Sequence, residues 1–337
     1  MQQSTTLIIS TLLFICTSHA SASKLRETVT FRLENDIFTG SDNQYTNGVA
    51  ITWSSKPLDS YEQNSHRRRW GELFKFLPGF STDAERRFLV LSLIHEMNTP
   101  SDITMIDPPL GEQPYSGILM LSNTVYSNLK TWSQAWNLRV GVVGPVTRSG
   151  DLQTAVHTVI DSDQPQGWET QLQNELILNI GYIAGKTMAR RINPASFSWR
   201  ALTLGSLEFG NYTTSIGGNF MVEFGQFSPR TLSNSSIGSS LPSIIGVGSS
   251  PTQQFEVAAY IGVGAYALAH YMPLDGTVFR SSRSADYSPF VTTASLGITA
   301  RYEKLIVSLS ANIGSTPLNK EDPNIDYGGL TFGWVFD

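Results

Sequence analysis

Residues 327–336 read YGGLTFGWVF, and this stretch decides the fold class because its large and small side chains alternate. Successive side chains of a β-strand point to opposite faces, so the alternation gives the strand two different sides. One side carries Leu330, Phe332, Trp334 and Phe336, with only glycine, threonine and valine between them. A strand with one bulky apolar side and one small side is typical of a β-barrel that spans a membrane.

The same alternation recurs along the rest of the chain. It predicts strands that begin near residues 28, 45, 87, 116, 130, 170, 197, 212, 253, 287, 303 and 327. This is an even number of strands, as in bacterial single-chain barrels. The predicted inward faces hold Arg32, Glu34, Arg139 and Glu223, charges that a soluble core would not accept unpaired. We therefore predict an all-β fold, a twelve-stranded antiparallel transmembrane β-barrel; the alternative is a secreted β-sandwich.

The composition agrees with a barrel wall. Only 15% of the 337 residues are charged, whereas soluble domains hold about 25%. After the N-terminal segment, no stretch is apolar for the roughly 18 residues that a transmembrane helix needs, and a closed barrel is the other structure that can span a bilayer. The net charge of −5, from 23 basic and 28 acidic residues, indicates no nucleic-acid partner.

The N-terminal segment predicts export. Residues 7–16, LIISTLLFIC, form an apolar stretch of signal-peptide length, and the small-residue site Ala20-Ser21-Ala22 follows it. We predict a signal peptide over residues 1–22 and one outer-membrane barrel domain over 23–337; the alternative is a buried N-terminal strand. The single cysteine, Cys16, falls in the signal peptide, so the mature chain would have no disulfide.

One stretch has helical rather than strand periodicity. In residues 151–163, DLQTAVHTVIDSD, the apolar stripe consists of Leu152, Val156, Val159 and Ile160. Gln153, His157 and Asp161 are four apart and share the other side of that helix. If the N-terminus is periplasmic, strand parity places this helix in an extracellular loop. A histidine flanked by polar partners there suggests a general base; the alternative is a loop helix with an exposed histidine.

A second group of polar residues lies where the first two predicted strands meet. Asn35, Asp36 and Thr46 supply oxygen atoms there, and Asp161 and Asp163 follow the helix. Calcium takes about six to eight oxygens from carboxylates, carbonyls and water. These residues predict a site for a hard cation if the fold brings them together.

Five short stretches, in order along the chain, resemble the outer-membrane lipid A 3-O-deacylase family. They are Glu34-Asn35-Asp36 with Tyr45-Thr46-Asn47-Gly48, Thr99-Pro100 with Pro114-Tyr115-Ser116-Gly117, Gln153-x-x-x-His157, Gly167-Trp168-x-x-Gln171-Leu172-x-x-Glu175, and Leu274-Asp275-Gly276. The resemblance implies a twelve-stranded barrel whose active site lies between the wall and a helix of an outer loop. It also implies calcium-dependent removal of the 3'-linked acyloxyacyl group of lipid A.

The resemblance assigns catalytic and metal roles to individual residues. His157 would activate water as the base, and Gln153 lies one turn before it. Asn35 and Thr46 complete the catalytic group that the resemblance implies, with Asn35 near the reacting carbonyl. Asp36 and Asp163 are the implied metal residues, for which Ca²⁺ is the expected ion.

Substrate binding is implied for Tyr45, Gln113, Tyr115 and Arg148. The family often reads Asp-Arg-Pro-Tyr-Ala-Gly where this chain has Glu112-Gln113-Pro114-Tyr115-Ser116-Gly117, so Gln113 replaces a basic residue. Arg148, Arg280 and Arg283 lie on predicted outer loops and are candidate substitutes.

The resemblance thus implies a carboxylic ester hydrolase, which we expect to be a monomer in the outer membrane. Its partner would be the lipid A of lipopolysaccharide, with the active site facing the outer leaflet. No G-x-S-x-G elbow is present. Two alternatives stay open: another outer-membrane esterase or phospholipase that pairs a serine with His95 or His270, and a non-enzymatic pore or adhesin.

Overall fold

The computed structural model describes residues 27–39, 45–56, 58, 86–129, 132–193, 195–227, 254–315, 318 and 324–336. The predicted signal peptide, 1–22, lies outside these residues. No helix in the described ranges is both long and apolar enough to cross a membrane.

The described chain forms twelve strands that close into one antiparallel barrel, as predicted, because the first strand pairs with the last. The strands are β1 Glu27–Asn35, β2 Tyr45–Ser54, β3 Arg86–Asn98, β4 Ser116–Asn128, β5 Trp132–Val143, β6 Glu175–Arg191, β7 Ser198–Gly210, β8 Thr213–Gln226, β9 Phe255–Tyr271, β10 Phe290–Tyr302, β11 Leu305–Ser315 and β12 Asn324–Phe336. Helix α1, Ser149–Ile160, connects β5 to β6, and the short helix α2, Met272–Asp275, follows β9.

The two faces of the wall differ as the alternation predicts. On β12, Phe332, Trp334 and Phe336 are exposed on the outer face, while Thr331 and Val335 are buried on the inner face. The same outward exposure recurs around the barrel at Phe31, Ile51, Leu121, Leu178, Phe220, Ile261 and Leu296. An outward apolar belt of this kind is the surface that a barrel presents to lipid.

Four inward arginines are each paired with a glutamate. Arg32 Nε lies 2.7 Å from Glu34 Oε1, and Arg139 Nη2 lies 3.2 Å from Glu208 Oε1. Arg200 pairs with Glu223, and Arg301 Nη1 lies 3.9 Å from Glu256 Oε2. Pairing offsets the large cost of removing each charge from water. Burial of these pairs shows that side chains occupy the interior at these levels.

The loops that follow odd-numbered strands all lie at one end of the barrel, since neighbouring strands are antiparallel. Contacts between loops hold this end together. Glu175 accepts hydrogen bonds from the backbone of Val278 and Phe279, and Arg283 donates to the carbonyl oxygen of Pro108 at 2.6 Å. Helix α1 therefore lies at an end where the connecting segments support one another.

Candidate active site

Helix α1 packs against the outer face of the barrel wall, over β3 and β4. On β3, Glu96 faces inward and accepts a hydrogen bond from Tyr212, so its neighbour His95 faces outward. His95 Nε2 lies 2.9 Å from the hydroxyl of Ser149, the first residue of α1. Gly117 on β4 permits the close approach, because an added methyl group there would overlap Ser149.

The helix turns its polar side to the wall. Ser149 and Gln153 are only 1% and 2% exposed, whereas the predicted apolar stripe is exposed, with Val159 85% exposed. A surface helix of a soluble protein usually does the reverse and buries its apolar side. The inversion is expected here, because the outer face of a barrel in a membrane adjoins lipid.

The side-chain amide of Gln153 is fixed in one orientation. Trp168 Nε1 donates a hydrogen bond to Gln153 Oε1 at 2.7 Å, and both side chains are buried. The other amide atom, Nε2, is buried and has no hydrogen-bond partner among the described residues. An unpaired buried donor costs about 1–3 kcal/mol, so this one is a candidate for binding a ligand oxygen.

The ring of His157 is oriented by a backbone carbonyl. Its Nδ1 lies 2.6 Å from the carbonyl oxygen of Asp163. A carbonyl only accepts hydrogen bonds, so Nδ1 carries the proton and, in a neutral ring, Nε2 is the free acceptor. Asp161 follows the last residue of α1, and its left-handed φ of 56° turns the chain back toward His157. His157 is thereby prepared to accept a proton through Nε2.

The predicted residues of the first two strands form a second group at the same end of the barrel. Asn35 ends β1 opposite Asn47, and the register of β2 shifts between Tyr45 and Asn47, so Thr46 occupies the irregularity. Alternation along β1 places Asn35 on the outer face, on the same side of the wall as α1. Asp36 is buried and begins a short 3₁₀ turn. The side chains of Tyr45 and Thr46 lie outside the described part of the structure.

The described residues contain no cluster of three or more His, Cys, Asp or Glu side chains that could hold a metal. Near the end of β1 the buried carboxylates are Asp36 and Glu34, the latter paired with Arg32, and the Asn35 amide lies between them in sequence. Calcium accepts such a set, because neutral carbonyl and amide oxygens and water can supply most of its ligands.

The predicted substrate-binding residues differ in accessibility. The Tyr115 side chain is fully buried and donates to the carbonyl oxygen of Ile103 at 3.0 Å. Burial raises the pKa of Tyr115 to about 12, so the hydroxyl remains a donor. Gln113 is also buried, whereas the Arg148 side chain is 80% exposed and pairs with Asp151 at 2.8 Å. Tyr115 therefore packs behind the site, and Arg148 is open to a ligand.

Two residues near the site had no predicted role in it. Trp168 is part of the Gly167-Trp168-x-x-Gln171 motif. The motif does not show its contact with Gln153, because the two residues are 15 positions apart in the chain. Ser149 precedes the predicted helical stretch, and its partner His95 is on another strand. The second histidine considered for a serine–histidine pair, His270, instead contacts the Asn211 carbonyl oxygen at 2.8 Å through Nε2 and Asp275 at 3.4 Å through Nδ1.

Comparison with known proteins identifies relatives. The model of the family described as outer membrane protein LpxR matches residues 7–336. LpxR from Salmonella typhimurium superposes with a TM-score of 0.73 at 18% identity, over 92% of this chain and 100% of that chain. The β domain of the Bordetella autotransporter BrkA gives a TM-score of 0.40 at 8% identity, over 94% of this chain and 99% of that one. No curated protein matches in sequence.

Proposed function

Because the chain belongs to the outer membrane protein LpxR family, we propose that this outer-membrane barrel is a lipid A 3-O-deacylase. As a carboxylic ester hydrolase, it would release the 3'-linked acyloxyacyl group of lipid A. The observation that supports the chemistry is the pair of groups on one side of α1: a histidine whose Nε2 can accept a proton, and a buried Gln153 amide N–H that has no partner within the described part of the chain.

The proposed reaction is a direct attack by water on the ester. His157 Nε2 takes a proton from the water as its oxygen bonds to the ester carbonyl carbon. Gln153 Nε2 donates to the oxyanion of the tetrahedral intermediate. When the intermediate collapses, the bond to the sugar oxygen breaks, the proton on His157 passes to that oxygen, and the acyloxyacyl acid leaves with the second water proton, which it loses to solvent.

Calcium is proposed as the cofactor. When bound, it would supply a Lewis acid that polarises the ester carbonyl. Asp36 and Asn35 would hold it from the end of β1, with Asp163 as a further acidic residue near α1. The Asn35 amide, on the outer face of the wall, also offers a second donor to the ester oxygen.

The position of α1 suits a lipid substrate. The helix lies on the outer face of the wall, so an acyl chain can reach His157 and Gln153 without entering the barrel interior. With a periplasmic N-terminus, this end of the barrel faces the outer leaflet. Arg148 is the exposed cation at the start of α1 and would pair with a lipid A phosphate, a role for which Gln113 lacks the charge.

A second candidate reaction rests on the contact between His95 Nε2 and the Ser149 hydroxyl. In that reaction the serine would attack the ester and form an acyl-enzyme. Against it, Ser149 is buried and its hydroxyl also contacts Thr147 at 2.8 Å. His95 Nδ1 has no partner among the described residues to orient the ring.

Purified protein in mixed micelles with lipid A distinguishes the two reactions. We expect the released product to be the free acyloxyacyl acid, with no acyl group bound to the protein at any time in a single turnover. His157→Ala should abolish release, whereas Ser149→Ala should lower it by several-fold at most. The reverse pattern, or a trapped acyl group on Ser149, would overturn the proposed mechanism.

A further inference from the structure

The motif that begins at Gly167 and Trp168 has no role in the reaction described above, yet its indole contacts the reacting side of α1. The Trp168 side chain is buried, and Nε1 donates to Gln153 Oε1 at 2.7 Å. Among the described residues, no hydrogen bond joins the indole to His157. Its position suggests that it acts through Gln153.

The chemistry of the indole determines how the amide is turned. An indole N–H only donates, so it selects the amide oxygen and excludes the amide nitrogen from its side. Gln153 Nε2 is thereby directed away from Trp168, and none of the residues that the structure describes accepts a hydrogen bond from it. In the flipped orientation, the amide oxygen would face the oxyanion, and the two negatively polarised oxygens would repel each other. Fixing the amide in advance avoids this cost during the reaction.

The indole is itself held from several sides. The ring centroid of Trp168 lies 5.0 Å from that of Tyr115. The backbone carbonyl of Trp168 accepts a hydrogen bond from Gln171 Nε2 at 2.9 Å. A methyl group on Gly150 would lie 2.8 Å from Trp168 Cγ, and one on Gly167 would lie 2.5 Å from the Tyr115 ring. The two glycines therefore allow the indole to sit directly between α1 and Tyr115.

We propose that Trp168 is a positioning residue whose N–H sets the orientation of the Gln153 amide for oxyanion stabilisation. This inference rests on the proposed function. It assigns a use to the Gly167-Trp168-x-x-Gln171-Leu172 motif: Leu172 donates from its backbone to the Tyr115 carbonyl oxygen at 2.9 Å, which anchors the segment to the start of β4.

The test is a double-mutant cycle with full-length protein in mixed micelles, with kcat and KM measured separately for lipid A. Removing one oxyanion donor lowers kcat by about 10²- to 10³-fold, so we expect a loss of that size for Gln153→Ala. Trp168→Phe keeps a six-membered aromatic ring and removes the part of the indole that carries the N–H donor. We expect it to lower kcat by about tenfold, a fraction of the full oxyanion effect, with KM unchanged. In the Gln153→Ala background, Trp168→Phe should have no further effect.

Controls separate orientation from folding. Trp136→Phe removes another indole of the wall, one that packs on Tyr182 with centroids 4.7 Å apart, and should leave kcat unchanged. If Trp168→Phe does not fold, benzothienylalanine at position 168 replaces only N–H by sulfur in the same ring shape, and the same loss of kcat is expected.

The outcomes separate the two proposals. Full activity of Gln153→Ala would remove Gln153 from the proposed reaction. A loss with Gln153→Ala but none with Trp168→Phe or the sulfur analogue would overturn the positioning role alone. An equal loss from Trp168→Phe in both backgrounds would show that the indole merely supports the fold, and would overturn it too.

Discussion

The backbone carbonyl of Asp163 accepts a hydrogen bond from His157 Nδ1 at 2.6 Å. A backbone group therefore selects the tautomer, whereas many catalytic and metal-binding histidines use a carboxylate for this purpose. The contact requires the left-handed residue Asp161 at the end of α1, so the shape of the turn and the state of the histidine are coupled.

Loss of the base is expected to abolish turnover without unfolding the barrel. A positioned acid–base group contributes about 10²- to 10⁴-fold, so His157→Ala should lower kcat for lipid A by a factor in that range. Thr158→Ala is the matched control: Thr158 is exposed on α1 and its hydroxyl donates to the Thr154 carbonyl oxygen at 2.8 Å, so kcat should stay unchanged. Steady-state kinetics of the two variants, with heat-dependent gel migration as the folding control, check this. Full activity of folded His157→Ala would contradict its role as the base.

Calcium removal is expected to inactivate the protein reversibly. EGTA should stop acyl release, and added Ca²⁺ should restore it better than Mg²⁺, because the smaller ion prefers a stricter octahedral oxygen set. Asp36→Asn should raise the Ca²⁺ concentration needed for half-maximal activity. Asp151→Asn is the matched control, since Asp151 pairs with exposed Arg148 on α1. Unchanged activity in EGTA, or equal effects of both substitutions, would argue against a metal at β1.

The packing of α1 on the wall is expected to depend on Gly117. Gly117→Ala places a methyl group where Ser149 and Thr147 now lie, so α1 must move away from the wall. Activity should then fall at least tenfold, which corresponds to about 1.4 kcal/mol of free energy. Gly205→Ala is the control, because an added methyl group there meets only ordinary van der Waals contact, at 3.9 Å. Lipid A turnover and protease sensitivity of the α1 loop report the difference. Normal activity of Gly117→Ala would show that α1 need not touch β4.

The hydrogen bond between His95 and Ser149 is expected to support docking rather than chemistry. Ser149→Ala removes a contact worth about 1 kcal/mol, so we expect a loss of activity of several-fold at most. Activity that disappears with this single hydroxyl, in a barrel that migrates as folded, would favour the serine mechanism instead.

The interior of the barrel is expected to conduct ions poorly. Four arginine–glutamate pairs fill it, and their side chains are largely buried. Planar-bilayer recordings of purified protein should therefore show no stable open-channel current. Steady conductance would support the alternative that the protein is a pore.

The fold could be predicted because strand alternation is local. The predicted start of β4, residue 116, agrees with the structure, and that of β1 differs by one residue. The prediction for β6 was five residues early, at 170 rather than 175, because a 3₁₀ turn at Trp168–Thr170 and the residues after it come first. Turns of this kind leave no period in the sequence.

The site was less predictable, because its contacts join distant segments. The helical period placed Gln153 and His157 on one side of α1, and the structure agrees. The period does not show that this side faces the wall, that Trp168 turns the Gln153 amide, or that a backbone carbonyl holds His157. The motif that implies substrate binding by Tyr115 does not show that this side chain is fully buried and packs against the indole of Trp168.

We propose that this barrel hydrolyses the 3'-linked ester of lipid A by means of His157. The most direct measurement is the mass of lipid A extracted from a Gram-negative host that expresses the full chain, compared with the same host expressing His157→Ala at equal outer-membrane level. We expect a species lighter by one acyloxyacyl unit with the wild-type chain and unmodified lipid A with the variant. Unmodified lipid A from both hosts, with folded protein in the outer membrane and calcium present, or the same lighter species from both, would contradict it.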